Sequence, residues 1–158
     1  LLSSGLSLKE ILQDEKISQH VDRAKSDRVS AQKVVEQSTI IVDRLAICRM
    51  EEKGVRSNGY LVTAWAGEDA DACCIIHGYA DGTIDNPERP ALSASFYANS
   101  FIENGQDRYD LSRMATLLDP TGGGHANACG CRVSSAGIES DLQHWIDIWT
   151  KRDSLLKI

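Results

Sequence analysis

A series of short apolar segments, separated by turn residues and by longer segments of helical spacing, constrains the fold of this chain most strongly. The segments TIIV and LAICRM (39–42 and 45–50) are rich in apolar and β-branched residues, and Asp43-Arg44 separates them. This pattern predicts two short strands or one bent strand. The segment DACCIIHGYA (71–80) contains an apolar run without helical spacing, which predicts a buried strand.

Two further segments complete the predicted strands. The segment ALSASFYA (91–98) alternates between two faces, with Leu92, Ala94 and Phe96 on one and Ser93, Ser95 and Tyr97 on the other. A last strand is predicted from about Ala128 to Val133, after a loop rich in glycine. The segments KGVRSNG (53–59) and DGTIDNPERP (81–90) carry glycine, proline and asparagine and predict loops.

The amino-terminal part of the chain predicts one long helix from Ser7 to about Gln37. Ser7 and Glu10 fit a capping box, in which each side chain satisfies a backbone N–H of the other residue. Apolar residues are sparse along this segment and charged residues are frequent, so the helix buries little. Either a surface helix or a linker helix to another domain fits this pattern.

Three shorter helices are predicted further along the chain. Ser57 or Asn58 caps a helix that runs to Ala66 and ends at Gly67. A second helix is capped by Asp110, stopped by Pro120, and carries an apolar face of Leu111, Met114, Ala115 and Leu118. The last helix has a strong apolar stripe, which predicts that both of its tryptophans are core residues: Ile138, Leu142, Trp145, Ile146 and Trp149.

The order of these elements predicts an α/β fold. We expect a mixed β-sheet of about five strands, flanked by helices and preceded by the long linker helix. Residues 1–37 are assigned to the linker helix and residues 38–158 to the folded domain. Because the chain does not begin with methionine, we expect it to be a piece of a longer protein.

Composition limits the classes of function. A net charge of −6 over 158 residues argues against a broadly basic protein that coats a nucleic-acid duplex. No apolar run approaches the roughly 18 residues of a membrane span, so we expect no membrane partner. The five cysteines are odd in number and two are adjacent, which predicts reduced, buried thiols in a cytoplasmic protein.

The segment TGGGHANACGC (121–131) is the main candidate for a functional site. Three consecutive glycines cost backbone entropy, and they allow a ligand to approach the main chain closely. Successive backbone N–H groups in such a turn can hold phosphate oxygens, and His125 and Asn127 add side-chain donors. The alternative is a flexible connection between a helix and a strand.

Other interpretations of this segment fit less well. No Lys-Ser or Lys-Thr pair follows the glycines, as a nucleotide-binding P-loop requires. A zinc site of His125, Cys129 and Cys131 is conceivable, but both thiols lie on one face of a strand and no second pair has zinc-ligand spacing. Buried structural thiols explain the two cysteines better.

The segment TGGGHANACGCRV, which follows a short helix and precedes the last helix, resembles the motif of the DHH-associated domain. This is the carboxy-terminal domain of DHH-family phosphoesterases, and the looser likeness extends over about Thr39 to Val133. Thr121 replaces a common fourth glycine and Cys129 stands at a small-residue position. The positions that match the motif are Gly122, Gly123, Gly124, His125, Asn127 and Gly130.

The resemblance implies a mechanism divided between two domains. In this family an amino-terminal DHH domain, with Asp and His clusters that include Asp-His-His, binds two manganese ions that activate water. The glycine–histidine domain then holds a nucleotide or short-oligonucleotide substrate, or, by annotation in the family, polyphosphate. This chain has no Asp-His-His, and its four histidines cannot form a two-metal centre: His20, His77, His125 and His144. We therefore expect no hydrolysis by this chain alone, and manganese only on a missing catalytic domain.

Carried over residue by residue, the resemblance implies phosphate binding by Gly122, Gly123 and Gly124 and contact of His125 with the scissile phosphate. The resemblance supports a substrate-binding role for Asn127 less strongly. Position alone makes Asn99 and Ser100, which follow the alternating strand, candidates for substrate contact. For the same reason Arg56 and Asn58 are candidates, in the loop before the helix that runs to Ala66. Tyr97 is a candidate for stacking on a base or for a half-buried strand position.

Two other functions remain open at this point. One is a non-catalytic nucleic-acid-binding module, like a related domain at the carboxy end of alanyl-tRNA synthetases. The acidic balance and His125 favour the phosphoesterase form. The other is a structural or dimerisation domain, and a homodimer is compatible with each interpretation.

Overall fold

The computed structural model describes Gly5 and residues 7–158, and its centre is one six-stranded mixed sheet. The strands are β1 (Thr39–Val42), β2 (Leu45–Arg49), β3 (Ala72–His77), β4 (Ser93–Ala98), β5 (Gly123–His125) and β6 (Ala128–Arg132). They lie in the order β1-β2-β3-β4-β6-β5, in which only β2 and β3 are parallel neighbours. The predicted mixed α/β sheet is confirmed, with β5 as one strand more than expected.

Six helices accompany the sheet among the described residues. They are α1 (Leu8–Gln13), α2 (Glu15–Ser38), α3 (Gly59–Ala66), α4 (Ser112–Leu118), α5 (Ile138–Trp149) and α6 (Arg152–Leu155), with a 3-10 turn at Gly67–Asp69. None of them has both the length and the apolar character that crossing a membrane requires. The order of elements and the long helix before the sheet are as the sequence predicts, except that α6 was not anticipated.

The sheet separates two apolar layers. On the first face, α4 and α5 pack against Leu45, Cys74 and Phe96, and the ring of Phe96 meets Trp145 edge-on at 5.3 Å between centroids. On the second face, α2 and α3 contribute Val35, Val62 and Ala66 to a smaller layer with Ala46, Cys73 and Ile75. Alternation along β2 and β3 sends successive side chains to opposite layers.

The amino-terminal helix is interrupted, which corrects the prediction of one helix from Ser7 to Gln37. The capping box is present: Glu10 N–H donates to Ser7 Oγ and Ser7 N–H donates to Glu10 Oε2. Asp14 then adopts an extended conformation and its carboxylate caps a new helix by accepting from the N–H groups of Lys16 and Ile17. Asp is a strong N-cap residue, so its carboxylate stabilises the start of the second helix.

Two further local predictions are confirmed, and a third is shifted by one residue. Asp43 and Arg44 form a two-residue hairpin turn with φ of 45° and 69°, so TIIV and LAICRM give two separate strands. Asn58 caps α3 by accepting from the Leu61 N–H at 3.3 Å, and Gly67 ends it with φ of 55°. The predicted cap of α4 is displaced, because Leu111 is the N-cap residue and Asp110 lies one residue before it; the Asp110 carboxylate still accepts from the Ser112 N–H at 3.1 Å.

Candidate ligand-binding site

The glycine segment is an edge strand rather than a free loop. Residues Gly123–His125 form β5, which pairs antiparallel with β6 through a two-residue turn at 126–127. Gly123 lies opposite Gly130, Gly124 opposite Cys129 and His125 opposite Ala128. Glycine has low strand propensity, so only the pairing with β6 reveals this strand.

The three glycines serve different purposes. A Cβ on Gly122 would lie 2.6 Å from the Ala115 carbonyl oxygen, and one on Gly124 would lie 2.6 Å from the Ala128 carbonyl oxygen. Both positions therefore need glycine for close packing of the strand against α4 and β6. A Cβ on Gly123 would meet nothing within 4 Å. Gly123 is thus the position at which the main chain stays open to a ligand.

The segment before β5 is held by the carboxylate of Asp119. This group accepts from the Thr121 hydroxyl at 2.6 Å, the Thr121 N–H at 2.9 Å and the Arg132 N–H at 2.9 Å. The Thr121 hydroxyl first, and then the Arg132 N–H, hold the pKa of Asp119 well below its usual value. At the other end, the Ala126 carbonyl accepts from Leu111 and the Asn127 carbonyl accepts from Ala98. The segment is therefore fixed at both ends, so its open backbone is pre-organised.

Strand register places His125 on the second face of the sheet. Cys129 and Cys131 point into the first apolar layer, so Ala128 and Gly130 face the opposite way. Two rows cross the strands on this face, one of Ser95, Gly130 and Gly123 and one of Tyr97, Ala128 and His125. We call this surface the open shelf, defined by Ser93, Ser95, Ala128, Gly130, Gly123 and His125, because its members are at least partly exposed.

His77 lies at the far corner of the open shelf. It is opposite Ser93 and on the same face, and its Nδ1 atom is buried without a hydrogen-bond partner in the described part of the chain. Burial first, and the charge of Arg56 second, lower the pKa of His77, which favours the neutral ring. Ser93, Ser95 and His77 were not singled out from the sequence, although the period-2 alternation of their strands placed them on this face.

Arg56 and Asn58 lie in the segment that leads into α3, on the same face of the sheet. Gly59, the first residue of α3, sits so close to the Tyr97 ring that a Cβ would fall 2.2 Å from Tyr97 Cγ. The start of α3 therefore packs on Tyr97, which belongs to the row of residues that ends at His125. Arg56 and Asn58 are exposed, and both line a cavity of about 560 Å³ between α2 and α3.

Three other predicted residues have contrasting environments. Asn99 is fully buried, donates to the carbonyls of Gly67 and Ala70 and accepts from the Phe101 N–H, which leaves no exposed atom for a ligand. Asn127 is partly exposed, and its side-chain oxygen is buried and unpaired within the described residues. Ser100 is partly exposed in the turn after β4.

The cysteines are structural. All five are free and buried, and burial raises the pKa of both Cys129 and Cys131 to about 12. His125 lies on the other face of the sheet, so the zinc site considered for these three residues is not assembled. In Gly5 and residues 7–158, no three His, Cys, Asp or Glu side chains are grouped to hold a metal ion.

Comparison with solved structures finds proteins of the same fold, whereas comparisons of the sequence find no match. No protein-family model and no curated protein matches the sequence. A pGpG-specific phosphodiesterase from Vibrio cholerae superposes with a TM-score of 0.72 at 14% identity, over 95% of this chain and 48% of that one. An exopolyphosphatase-related protein from Bacteroides fragilis gives 0.58 at 13% identity, over 95% and 41%.

A third structure, the DHH domain of a member of the s1p family of ribosomal proteins, gives a TM-score of 0.56 at 13% identity. It is matched over 87% of this chain and 34% of its own. The chain therefore spans less than half the length of each structure that it resembles. The likeness to DHH proteins stated from the motif is confirmed at the level of the fold.

Proposed function

We propose that this chain is the substrate-binding domain of a manganese-dependent phosphoesterase. Its substrates are phosphate esters of nucleotides or short oligonucleotides, and residues 122–125 bind the phosphate. The observation that carries this proposal is the position of Gly123 and His125. An open backbone position and an exposed imidazole lie two residues apart on one edge strand, in a fold shared with a phosphodiesterase.

The chemistry of the edge strand supports phosphate binding. An edge strand turns part of its N–H groups away from its only neighbour, and phosphate oxygens can accept from them. His125 is exposed, so its ring can donate a hydrogen bond, and in its protonated form it adds a positive charge. The fixed ends of the segment reduce the entropy that binding has to overcome.

The manganese ions of such an enzyme do not fit the residues described here. Since those residues offer no cluster of metal-binding side chains, the proposal places the ions on a domain outside this chain. The role of this chain is to bind and orient the substrate. The open shelf would present the phosphate, and Arg56 at its margin would add a positive charge.

The direct test is binding of a 5′-phosphorylated dinucleotide to the chain by calorimetry. Loss of one hydrogen bond to a charged group costs about 1.5–3 kcal/mol, so His125→Ala should weaken binding on the order of tenfold to a hundredfold. His144→Ala is the matched control, because His144 is an exposed histidine on α5, behind the other face of the sheet. Equal affinity of the wild type and His125→Ala would contradict the proposal.

The same assay separates the alternative of a nucleic-acid-binding module. A module of that kind would bind long RNA with steep salt dependence and without preference for a dinucleotide. A preference for short ligands that depends on His125 would favour the phosphoesterase domain.

A further inference from the structure

Two aromatic side chains are largely exposed near the start of α3. Tyr60 is 61% exposed and Phe101 is 60% exposed. Their ring centroids are 6.4 Å apart and their planes are inclined by 80°. Tyr60 belongs to the first turn of α3, and Phe101 follows β4, where its N–H donates to the buried Asn99 side chain. The two rings are therefore brought together by separate parts of the fold.

The rings line the cavity of about 560 Å³ between α2 and α3. This size lies within the usual range for small-molecule sites, roughly 300–1,000 Å³. The lining combines an apolar floor with a rim that carries two arginines and one acidic residue. The floor is formed by Ala31, Leu61 and Ala64, and the rim contains Arg28, Arg56 and Asp27.

The cavity and the proposed phosphate site lie on the same face of the sheet. Gly59 packs on the Tyr97 ring, and Tyr97 belongs to the row that crosses β6 to His125. Two strand spacings separate Tyr97 from His125, a distance of roughly 10 Å between their Cα atoms. The Ala98 N–H donates to the Asn127 carbonyl at 3.0 Å, so the segment that leads from β4 to Phe101 adjoins the turn after His125. A ligand with its phosphate at His125 can extend along this edge towards Phe101.

We infer that Tyr60 and Phe101 form a base-stacking subsite, so that the substrate carries a nucleobase and is not inorganic polyphosphate. This inference rests on the proposed function and specifies the substrate class of the same site. A base that stacks on one ring meets the other ring edge-on, which is a favourable arrangement for aromatic groups. Arg28 and Arg56 complement the negative charge of the attached phosphate.

The charged side chains at the rim of the cavity favour a nucleotide over an apolar protein surface as the occupant. Charged residues are depleted at the centre of protein interfaces. Here Arg28 and Arg56 line the same cavity as the two rings, which suits a ligand with one aromatic and one anionic part. A docked protein segment is therefore treated as an outcome of the test.

The experiment compares two ligands, a 5′-phosphorylated dinucleotide and inorganic tripolyphosphate, by calorimetry on the chain. Loss of stacking on one base weakens binding by about 5- to 150-fold, so Tyr60→Ala and Phe101→Ala should each reduce dinucleotide affinity by such a factor. Neither change should alter tripolyphosphate affinity. Tyr60→Phe should retain dinucleotide binding, because the ring remains.

Trp65→Ala is the matched control, because Trp65 is a 41% exposed aromatic on α3 that does not line the cavity. It should bind both ligands as the wild type does, and circular dichroism should show all variants folded. Dinucleotide affinity that is unchanged in both Tyr60→Ala and Phe101→Ala would overturn the subsite and point to a protein segment as the occupant of this surface. Equal losses for both ligands would also overturn it.

The failure of this inference differs from the failure of the proposed function. If dinucleotide binding depends on His125 and not on the aromatic pair, the subsite is wrong and the phosphate site stands. If neither ligand binds, both ideas fail.

Discussion

The ring of Tyr97 occupies the space in which a side chain on Gly59 would lie, with Tyr97 Cγ only 2.2 Å from the Cβ position of Gly59. This contact joins the first residue of α3 to β4 on the second face of the sheet. It brings the loop with Arg56 and Asn58 to the row that ends at His125. The absence of a side chain on Gly59 thus lets the start of α3 lie directly against β4.

Gly59→Ala should destabilise the chain, although alanine favours helices. The added methyl group would also lie 2.3 Å from Tyr97 Cβ, which cannot move without displacing β4. Overpacking of this kind costs about 1–3 kcal/mol, which corresponds to a fall in Tm of roughly 2–4 °C per kcal/mol at this chain length. Thermal unfolding followed by circular dichroism measures the change.

The control for Gly59→Ala is the same substitution in a Tyr97→Gly background, which removes Tyr97 Cβ as well as the ring. There the methyl group has room, so its penalty should largely vanish in a double-mutant cycle. An unchanged penalty would show that the contact with Tyr97 is not its cause.

Gly122→Ala and Gly123→Ala should both destabilise the fold, but only Gly123→Ala should also obstruct the approach of a ligand. A methyl group on Gly122 meets a backbone oxygen at 2.6 Å, so this variant should lose about 1–3 kcal/mol of unfolding free energy. On Gly123 it meets no atom within 4 Å, but the φ of 155° is a conformation that residues with a side chain rarely adopt, so this variant should also lose about 1–3 kcal/mol. Because that methyl group stands where phosphate would approach, the folded Gly123→Ala variant should bind the dinucleotide more weakly than the folded Gly122→Ala variant.

Urea unfolding and calorimetry on both variants test this pair. A Gly123→Ala variant that binds the dinucleotide as tightly as the wild type would exclude close approach of a ligand at this position.

Local sequence patterns predicted most of the sheet, because its strands carry their own signals. The alternation around Phe96 and Tyr97 and the apolar stripe of α5 depend only on neighbouring residues. The break at Asp14 was missed because the sparse apolar residues around it fit one continuous helix as well as two consecutive helices. The strand β5 was missed because glycine carries no pattern, and only the pairing with β6 defines it.

The candidate site was predicted only where one segment contains it. The motif gave Gly123 and His125, and the structure leaves both accessible. His77 and Ser95 come from other strands, and only the strand order brings them to the same face. Likewise, no local pattern predicts that Asp71 is buried and pairs with Arg44, which is 27 residues earlier in the chain. The Arg44 guanidinium donates to the Asp71 carboxylate at 2.7 Å.

Acid should loosen the glycine strand through Asp119. Its folded-state pKa is lowered, first by the Thr121 hydroxyl, from a reference value of 3.8. The carboxylate therefore stabilises the fold fully above that reference value, and its contribution is lost as the pH falls towards the folded-state pKa. Asp119→Asn should be less stable than the wild type at neutral pH, and the difference should shrink in acid.

Urea unfolding of the wild type and Asp119→Asn at about pH 7 and about pH 3 measures this difference. Asp107→Asn is the control, because Asp107 is an exposed carboxylate outside the network of Asp119. A difference that grows as the pH falls would refute the role of the carboxylate.

The thiols should be inert in the folded chain. All five cysteines are buried, and the pKa of about 12 for Cys129 and Cys131 leaves almost no thiolate at neutral pH. Iodoacetamide should therefore modify none of them in native buffer and all five in urea, as counted by mass spectrometry. Rapid native labelling of Cys129 or Cys131 would show that β6 is exposed more than the structure indicates.

Asn99→Ala decides between a structural role and a ligand role for Asn99. The side chain bridges the Gly67 and Ala70 carbonyls at 2.7 and 2.8 Å and accepts from the Phe101 N–H at 3.0 Å. Its removal leaves buried polar groups unsatisfied at about 1–3 kcal/mol each, so the variant should lose at least about 2 kcal/mol of unfolding free energy. Tripolyphosphate affinity of the folded fraction should stay unchanged, since no atom of Asn99 is exposed. A variant with wild-type stability and weakened tripolyphosphate binding would instead make Asn99 a ligand contact, and would require the turn after β4 to open in the bound state.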